Sequence, residues 1–377
     1  MLYPIFKLLM KIYFNMYYKK IYIEGASNVP KDVPLIFICN HPNSFMEACL
    51  VAVFQHRTLH FLVRGDMFEK KWLAPILRET NQIPIYRFKD GFEKLRNNKS
   101  SFSASFDILA ENKCILLFPE GSTVFVPWLR PFQKGAARLA TGTMDEKKIE
   151  DVFVMPCAVH YFNALETRSK VTLQFGEAIS TRQFLNSNPD SKDILSDYTE
   201  YLYKKMDEIV LNYPEDIQRE RIDHYLTDKY TNTSEVLNMG STESNIPSRL
   251  KGALNNIKDY TSLERRTPKN NRLISKAWSL TLLVLAFLLM IPAGIIYYPS
   301  LFLIKNWSRK LKSIEFQPPT RLAVSMVSHW LISIILLIVL IQFFSLKIAF
   351  LGLVFLQFSL FSCLLFKDAY QILFAKS

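Results

Sequence analysis

From residue 21 to residue 179 the chain alternates short apolar runs with stretches of helical periodicity. The runs at 33–39, 59–63, 83–86, 114–118, 152–161 and 171–175 predict strands, and the segments 44–54, 72–77, 91–112 and 135–141 predict helices. Short apolar strands separated by helices imply an α/β fold, with a mostly parallel sheet flanked by helices and buried on both faces. Residues 181–275 change character. They are polar and charged, with a helical pattern over 190–213 that offers little apolar surface and a turn-rich link at 234–248.

Three long apolar stretches follow. Residues 277–304 contain no charge but include Pro292, Gly294 and Pro299, and 323–344 and 348–366 also lack formal charge. About 20 residues cross a bilayer core as a helix. Only Ser345, Leu346 and Lys347 separate the last two, so 323–366 reads as a membrane hairpin. Basic residues lie on both sides of 277–304, at Arg272 and Lys276 and then at Lys305. A re-entrant segment that returns at the prolines would keep both clusters on one face, and a single tilted span is the alternative. Residues 1–20 are apolar and aromatic with Lys7 and Lys11 interspersed, which fits an amphipathic helix at a membrane surface better than a signal peptide. The expected organisation is therefore an interfacial helix at 1–20, a catalytic domain at 21–180, a polar helical region and linker at 181–275, and a membrane region at 276–377.

Net charge sharpens this picture. The chain carries +12 at neutral pH, with a pI near 9.3. Its basic residues flank apolar segments, at Lys7, Lys11, Lys19 and Lys20 and again at Lys305, Arg309, Lys310, Lys312 and Arg321, which marks the cytoplasmic side of a membrane rather than a nucleic-acid surface. Cys39, Cys49, Cys114, Cys157 and Cys363 form no C-x-x-C pair and read as small buried residues. His56 and His60 are four apart, but no acid accompanies them as in a zinc-binding helix, so no metal is expected.

The candidate chemistry lies in two turns that follow predicted strands. The first is Asn40-His41-Pro42-Asn43-Ser44-Phe45-Met46-Glu47 and the second is Phe118-Pro119-Glu120-Gly121-Ser122-Thr123. Ligands of open α/β sheets bind at such strand ends. On a regular helix six residues turn through about 600°, so His41 and Glu47 can meet only if His41 precedes the helix. Glu47 would then orient one imidazole nitrogen while the other takes a proton. The competing structural reading is a capping box, with Ser44 as N-cap and Glu47 bonding backbone N–H.

Four ordered blocks carry a family resemblance: His41 to Glu47, Ile83-Pro84-Ile85-Tyr86-Arg87, Phe118-Pro119-Glu120-Gly121, and Val154-Met155-Pro156-Cys157-Ala158-Val159. Over about residues 1–180 the chain resembles the glycerolipid acyltransferases, which act on glycerol phosphate and lysophosphatidate, and in spacing their branch with a His-Pro-x-x-Phe-x-Asp first block. Glu47 stands where that branch has Asp. The resemblance implies acyl transfer from acyl-CoA or an acyl carrier protein to a hydroxyl of glycerol 3-phosphate or a lysophospholipid, in phospholipid biosynthesis. His41 would be the general base and Glu47 its partner. The resemblance implies Arg87 as the phosphate ligand, with Glu120 and Gly121 in the substrate site. Thr123 occupies the position of a second family arginine, which leaves Arg130, Lys134 or Arg138 to replace it. No cofactor beyond the acyl donor is implied, and the partners are membrane lipids and the donor, with no nucleic acid. The expected location is a membrane, taken as a bacterial inner membrane, with the catalytic domain on its cytoplasmic face. Two alternatives are an acyltransferase acting on a lyso-aminolipid and a non-catalytic lipid-binding protein that retains the fold.

Overall fold

The computed structural model describes residues 2–86, 98–126, 128–210 and 272–374. The described chain forms two compact units. The first takes 2–12, 21–163 and 170–210, and the second takes 13–20, 164–169 and 272–374.

The first unit is built on one mixed sheet. Its strands are β1 (Lys20–Glu24), β2 (Leu35–Cys39), β3 (Leu59–Arg64), β4 (Gln82–Ile85), β5 (Cys114–Leu117), β6 (Phe153–Tyr161), β7 (Lys170–Phe175) and β8 (Ile179–Ser180). The order is β1-β7-β6-β2-β5-β3-β4, and β8 pairs with β6. Strand β2 runs parallel to both β5 and β6, in register Leu35 to Cys114 and Leu35 to Phe153, and β3 runs parallel to β4 and β5. Strands β7 and β8 are antiparallel to β6. The predicted parallel sheet is thus present, with two short elements, β1 and β8, that the apolar pattern did not reveal.

Every residue of β2 is buried, because helices cover both faces of the centre of a parallel sheet. The described helices are α1 (Leu2–Tyr17), α2 (Phe45–Val53), α3 (Ala74–Glu79), α4 (Asn98–Ala110), α5 (Gly135–Lys147), α6 (Thr181–Ser187) and α7 (Ile194–Asp207). Ile36, Ile38, Ile115, Leu117 and Val154 of the sheet pack with Phe106 and Leu109 of α4 and with the alanines of α5. At Gly142 an added Cβ would lie 2.8 Å from the Phe106 ring, so a hydrogen there lets α4 and α5 approach. Residues 91–97 of the predicted helix 91–112 lie outside the described residues.

The core of this unit continues past residue 180, which corrects the expected domain edge. Ser180 caps α6 through Gln183 N–H at 3.0 Å, and Asp193 caps α7 through Ser196 N–H at 3.1 Å. Tyr198, Leu202 and Met206, spaced four apart on α7, are fully buried. The Tyr198 hydroxyl meets Thr181 Oγ1 at 2.8 Å. The polar majority of this segment hides a three-residue apolar stripe. The turn-rich link at 234–248 lies outside the described residues.

In the second unit α8 (Arg272–Ser308) is one helix of 37 residues that runs through Pro292 and Pro299. The chain does not double back at the prolines, which corrects the re-entrant expectation. Ser359 of α10 (Leu346–Phe374) explains how the helix continues: its hydroxyl accepts Ala293 N–H at 3.0 Å and donates to Leu289 C=O at 2.5 Å. A neighbouring side chain thus satisfies the backbone where proline disturbs the ladder. Helix α9 (Gln317–Phe343) starts at Pro318 and Pro319, which suit the first turn of a helix. Helix α10 begins at Leu346, so the turn of the predicted hairpin falls where the sequence placed it, but α10 packs chiefly on α8. A polar chain joins the helices: Tyr13 OH to His329 Nδ1 at 2.9 Å, His329 Nε2 to Gln357 at 2.8 Å, and Tyr297 OH to Ser333 at 2.9 Å.

Among the described residues, two helical segments, Leu283–Ser308 and Ile314–Phe343, are long and apolar enough to cross a membrane. Their apolar windows are only 17% and 6% buried, unlike the core helices of a soluble protein. The part of helix α1 that lies in the first unit buries Tyr3 and Met10, and Tyr3 OH accepts Leu59 N–H at 3.1 Å. It also exposes Leu2, Ile5, Phe6, Leu8 and Ile12.

On the edge strand β1, Glu24 Oε2 is buried and has no hydrogen-bond partner among the described residues. Burial raises its carboxyl to about 7. Below the unfolded-state value both states hold the proton. As pH rises, the unfolded chain releases it first, so the folded state loses relative stability until the folded value is passed. Glu24→Gln should therefore raise the melting temperature, with a gain that is small at about pH 4 and largest above pH 7. Melting curves of both proteins across this range measure it.

Candidate active site

The site forms where β2, β5 and β6 end side by side. Asn40, directly after β2, donates to Val159 C=O at 2.9 Å and accepts Val159 N–H at 2.8 Å, so its side chain continues the ladder between β2 and β6. Pro42 then favours an extended backbone at His41. The turn closes at Ser44, with φ 57° and ψ −129°, a conformation costly for an L-residue and concentrated at functional sites. Helix α2 begins at Phe45.

This geometry decides between the two readings of Glu47. Ser44 makes no side-chain cap bond, so the capping box does not form. The Glu47 carboxylate, with no solvent exposure, places Oε2 3.2 Å from His41 Nδ1 and accepts the Tyr161 hydroxyl on Oε1 at 2.7 Å. Burial pushes the Glu47 carboxyl up, and the bonds from His41 and Tyr161 draw it back down. With Nδ1–H donated to Glu47, the neutral imidazole has Nε2 as its proton acceptor. The His41 ring stacks on Phe118, with centroids 3.8 Å apart and planes 12° from parallel.

The turn after β5 holds the backbone of His41. Gly121 has φ 73°, the left-handed region that favours glycine, and its N–H bonds Phe118 C=O at 3.1 Å. The Glu120 carboxylate accepts the backbone N–H of His41, and Val124 N–H reaches His41 C=O at 3.4 Å. Glu120 also pairs with Arg130 Nη2 at 2.5 Å. Burial raises the Glu120 carboxyl, and Arg130 opposes that shift.

His41, Glu47, Glu120 and Gly121 therefore come together at one edge of the sheet. Two of the three candidates for the missing family arginine are engaged otherwise. Arg130 donates to Glu120, to Ser122 Oγ at 2.9 Å and to Ser122 C=O, so its guanidinium braces the turn. Lys134 forms an exposed ion pair with Asp193 at 2.8 Å. Arg87 lies outside the described residues. Sequence reasoning missed Tyr161, Phe118 and Asn40. Phe118 lies inside the third block and Asn40 immediately precedes His41, whereas Tyr161 is two residues beyond the fourth block and carries no local signal.

Residues 20–160 match the family model described as Acyltransferase. Glycerol-3-phosphate O-acyltransferase 2 of Saccharomyces cerevisiae is 36% identical over 83 residues, 22% of this chain and 11% of that protein. The 1-acyl-sn-glycerol-3-phosphate acyltransferase of Bacillus subtilis is 22% identical over 190 residues, 50% of this chain and 86% of that protein. Among solved structures, the 1-acyl-sn-glycerophosphate acyltransferase PlsC from Thermotoga maritima aligns with a TM-score of 0.41 at 19% identity, covering 56% of this chain and 81% of that one. The matches to the two yeast glycerol-3-phosphate O-acyltransferases span only 11% and 10% of their lengths.

Because Glu120 is nearly enclosed, removing Arg130 strands a carboxylate. Arg130→Met should lower the unfolding free energy by about 3 kcal/mol. Adding Glu120→Gln should restore part of that loss, since a neutral amide needs no counter-charge. Chemical denaturation of the single and double variants measures both effects.

Proposed function

We propose that this protein transfers a fatty acyl group from an acyl thioester to a hydroxyl of glycerol 3-phosphate or of a lysophospholipid such as lysophosphatidate, in phospholipid synthesis. The observation that carries the reading is the contact of His41 with the buried Glu47 carboxylate, at the C-terminal edge of β2 and beside the Glu120 turn. The names of the yeast and Bacillus relatives support the same acceptors.

In this mechanism the acceptor oxygen attacks the thioester carbonyl carbon while His41 Nε2 takes the hydroxyl proton. Glu47 balances the imidazolium that results. Collapse of the tetrahedral intermediate breaks the C–S bond, and the leaving sulfur recovers the proton from His41. One ester forms and one thiol is released. The route needs no enzyme nucleophile, metal or redox group. Glu120 holds the backbone of the base in place, and Gly121 lets the turn come close to the substrate. Arg87, by its place in the second block, is the proposed phosphate ligand.

The donor is acyl-CoA or an acyl carrier protein. The apolar face of α1 and the helices of the second unit favour a membrane, where the acceptors and products reside. The flanking basic residues favour a catalytic domain on the cytoplasmic face, which in a bacterium is that of the inner membrane.

The test is an assay of purified protein with radiolabelled acyl-CoA and acyl carrier protein donors against glycerol 3-phosphate and a panel of lysolipids. His41→Ala should reduce turnover at least about 10²- to 10⁴-fold while the melting temperature is retained. Glu47→Gln should also reduce turnover by orders of magnitude, because it removes the charge that balances the imidazolium. Parental turnover in His41→Ala would refute the mechanism.

A further inference from the structure

Glu47 is unusual in how completely it is enclosed. An isolated carboxylate without water is strongly disfavoured and takes up a proton instead. A protonated Glu47 could not balance charge on His41. Besides its own backbone N–H, two side-chain donors reach it, one on each oxygen. His41 supplies Nδ1–H at 3.2 Å, and Tyr161, the last residue of β6, supplies its hydroxyl at 2.7 Å. Tyr161 is itself only 9% exposed. The shorter bond is the one from tyrosine.

The fold makes this contact possible. Cys39 at the end of β2 pairs with Cys157, so β6 continues four residues further and delivers Tyr161 past the strand edge, above the first turn of α2. The extra methylene of glutamate fits the same arrangement. It carries the carboxylate far enough to span the imidazole on one side and the phenol on the other.

We propose that Tyr161 is a positioning residue for the transfer reaction: its hydroxyl keeps Glu47 ionised and turned toward His41. This inference rests on the acyltransferase reading above. Tyr161 acts through Glu47 and touches neither substrate. The other titratable groups whose charge bears on this carboxylate are the thiols of Cys39 on β2 and Cys49 on α2. Burial raises both, Cys49 to about 12, so neither becomes a competing anion near neutral pH. On the other side of His41, Glu120 is neutralised by Arg130. Tyr161 is therefore the only described donor to Glu47 from outside the segment that contains the base and the acid.

The experiment compares Tyr161→Phe with the parent, using palmitoyl-CoA with glycerol 3-phosphate and with lysophosphatidate. A charge-assisted hydrogen bond corresponds to a rate effect of about 10- to 100-fold. The expected result is a fall in kcat of that size, with KM for donor and acceptor changed less than about twofold. The acid limb of the kcat profile should move to higher pH, because the carboxylate has lost a bond that favours its charged form. In a Glu47→Asp background the same tyrosine change should have little effect, since the shorter side chain cannot hold both partners.

A readout without turnover accompanies this one. The loss of melting temperature caused by Tyr161→Phe should be larger in the parent than in Glu47→Gln, where the anion is absent. Equal losses in both backgrounds, or a kcat loss uniform across pH, would mean that Tyr161 only fills space and would overturn the inference. Parental kcat and acid limb in Tyr161→Phe, with His41→Ala inactive, would overturn the inference and leave the acyltransferase reading intact. Full activity in His41→Ala would remove the reading itself, and the melting-temperature comparison would still report on the Tyr161 to Glu47 bond.

Discussion

A carboxylate held without access to water constrains everything around it, and Glu47 is such a group. Both of its oxygens must meet donors, and the two side-chain donors come from different parts of the chain. One is the imidazole six residues earlier, across a turn that includes the strained Ser44. The other is the phenol at the end of β6. The pairing is possible only because β2 and β6 are parallel neighbours in fixed register. A slip of one residue would send every side chain of β6 to the opposite face and take Tyr161 away. The side chain of Asn40, bonded to both backbone groups of Val159, guards that register at its vulnerable end.

His41 is also held from a second direction. Glu120 reaches the backbone N–H of His41, and Arg130 ties Glu120 to the turn at Ser122. The ring of His41 lies flat on Phe118 from the same turn. The end of β5 therefore fixes the backbone and ring plane of the histidine, while α2 and β6 fix its tautomer. Two strands flanking β2 contribute to one imidazole, which is how a parallel sheet concentrates chemistry at its carboxyl edge.

The second unit solves a different problem with related means. Its helices expose apolar side chains along most of their length, so association between them depends on close packing and a few polar contacts. Ser359 repairs the backbone of α8 beside Pro292, and the chain of Tyr13, His329 and Gln357 satisfies polar groups that lipid would leave bare. Proline in α8 is then tolerated as a local disturbance rather than used as a turning point.

Local pattern alone determined much of this protein. The apolar runs located six strands, since burial on both faces writes itself as continuous hydrophobicity. His41 and Glu47 stood out because their spacing after a strand implied chemistry, and Glu120 and Gly121 through the resemblance of their block. The span of the apolar helices was equally plain, because bilayer thickness sets their length. Other features were settled by tertiary structure. The Ser44 to Glu47 spacing fits a helix cap as well as a relay, and only the neighbouring strand, by bringing Tyr161, showed which bond Glu47 makes. Arg130 and Lys134 looked like free cations until Glu120 and Asp193 were seen to occupy them. The stripe of Tyr198, Leu202 and Met206 was too sparse to mark a core helix without the sheet it covers. The path of α8 through its prolines depended on a serine 66 residues away. Sequence pattern reports whether a residue seeks water or avoids it, and that preference is local. Which polar atom satisfies which other is decided by long-range register, and only the folded chain brings those partners within bonding distance.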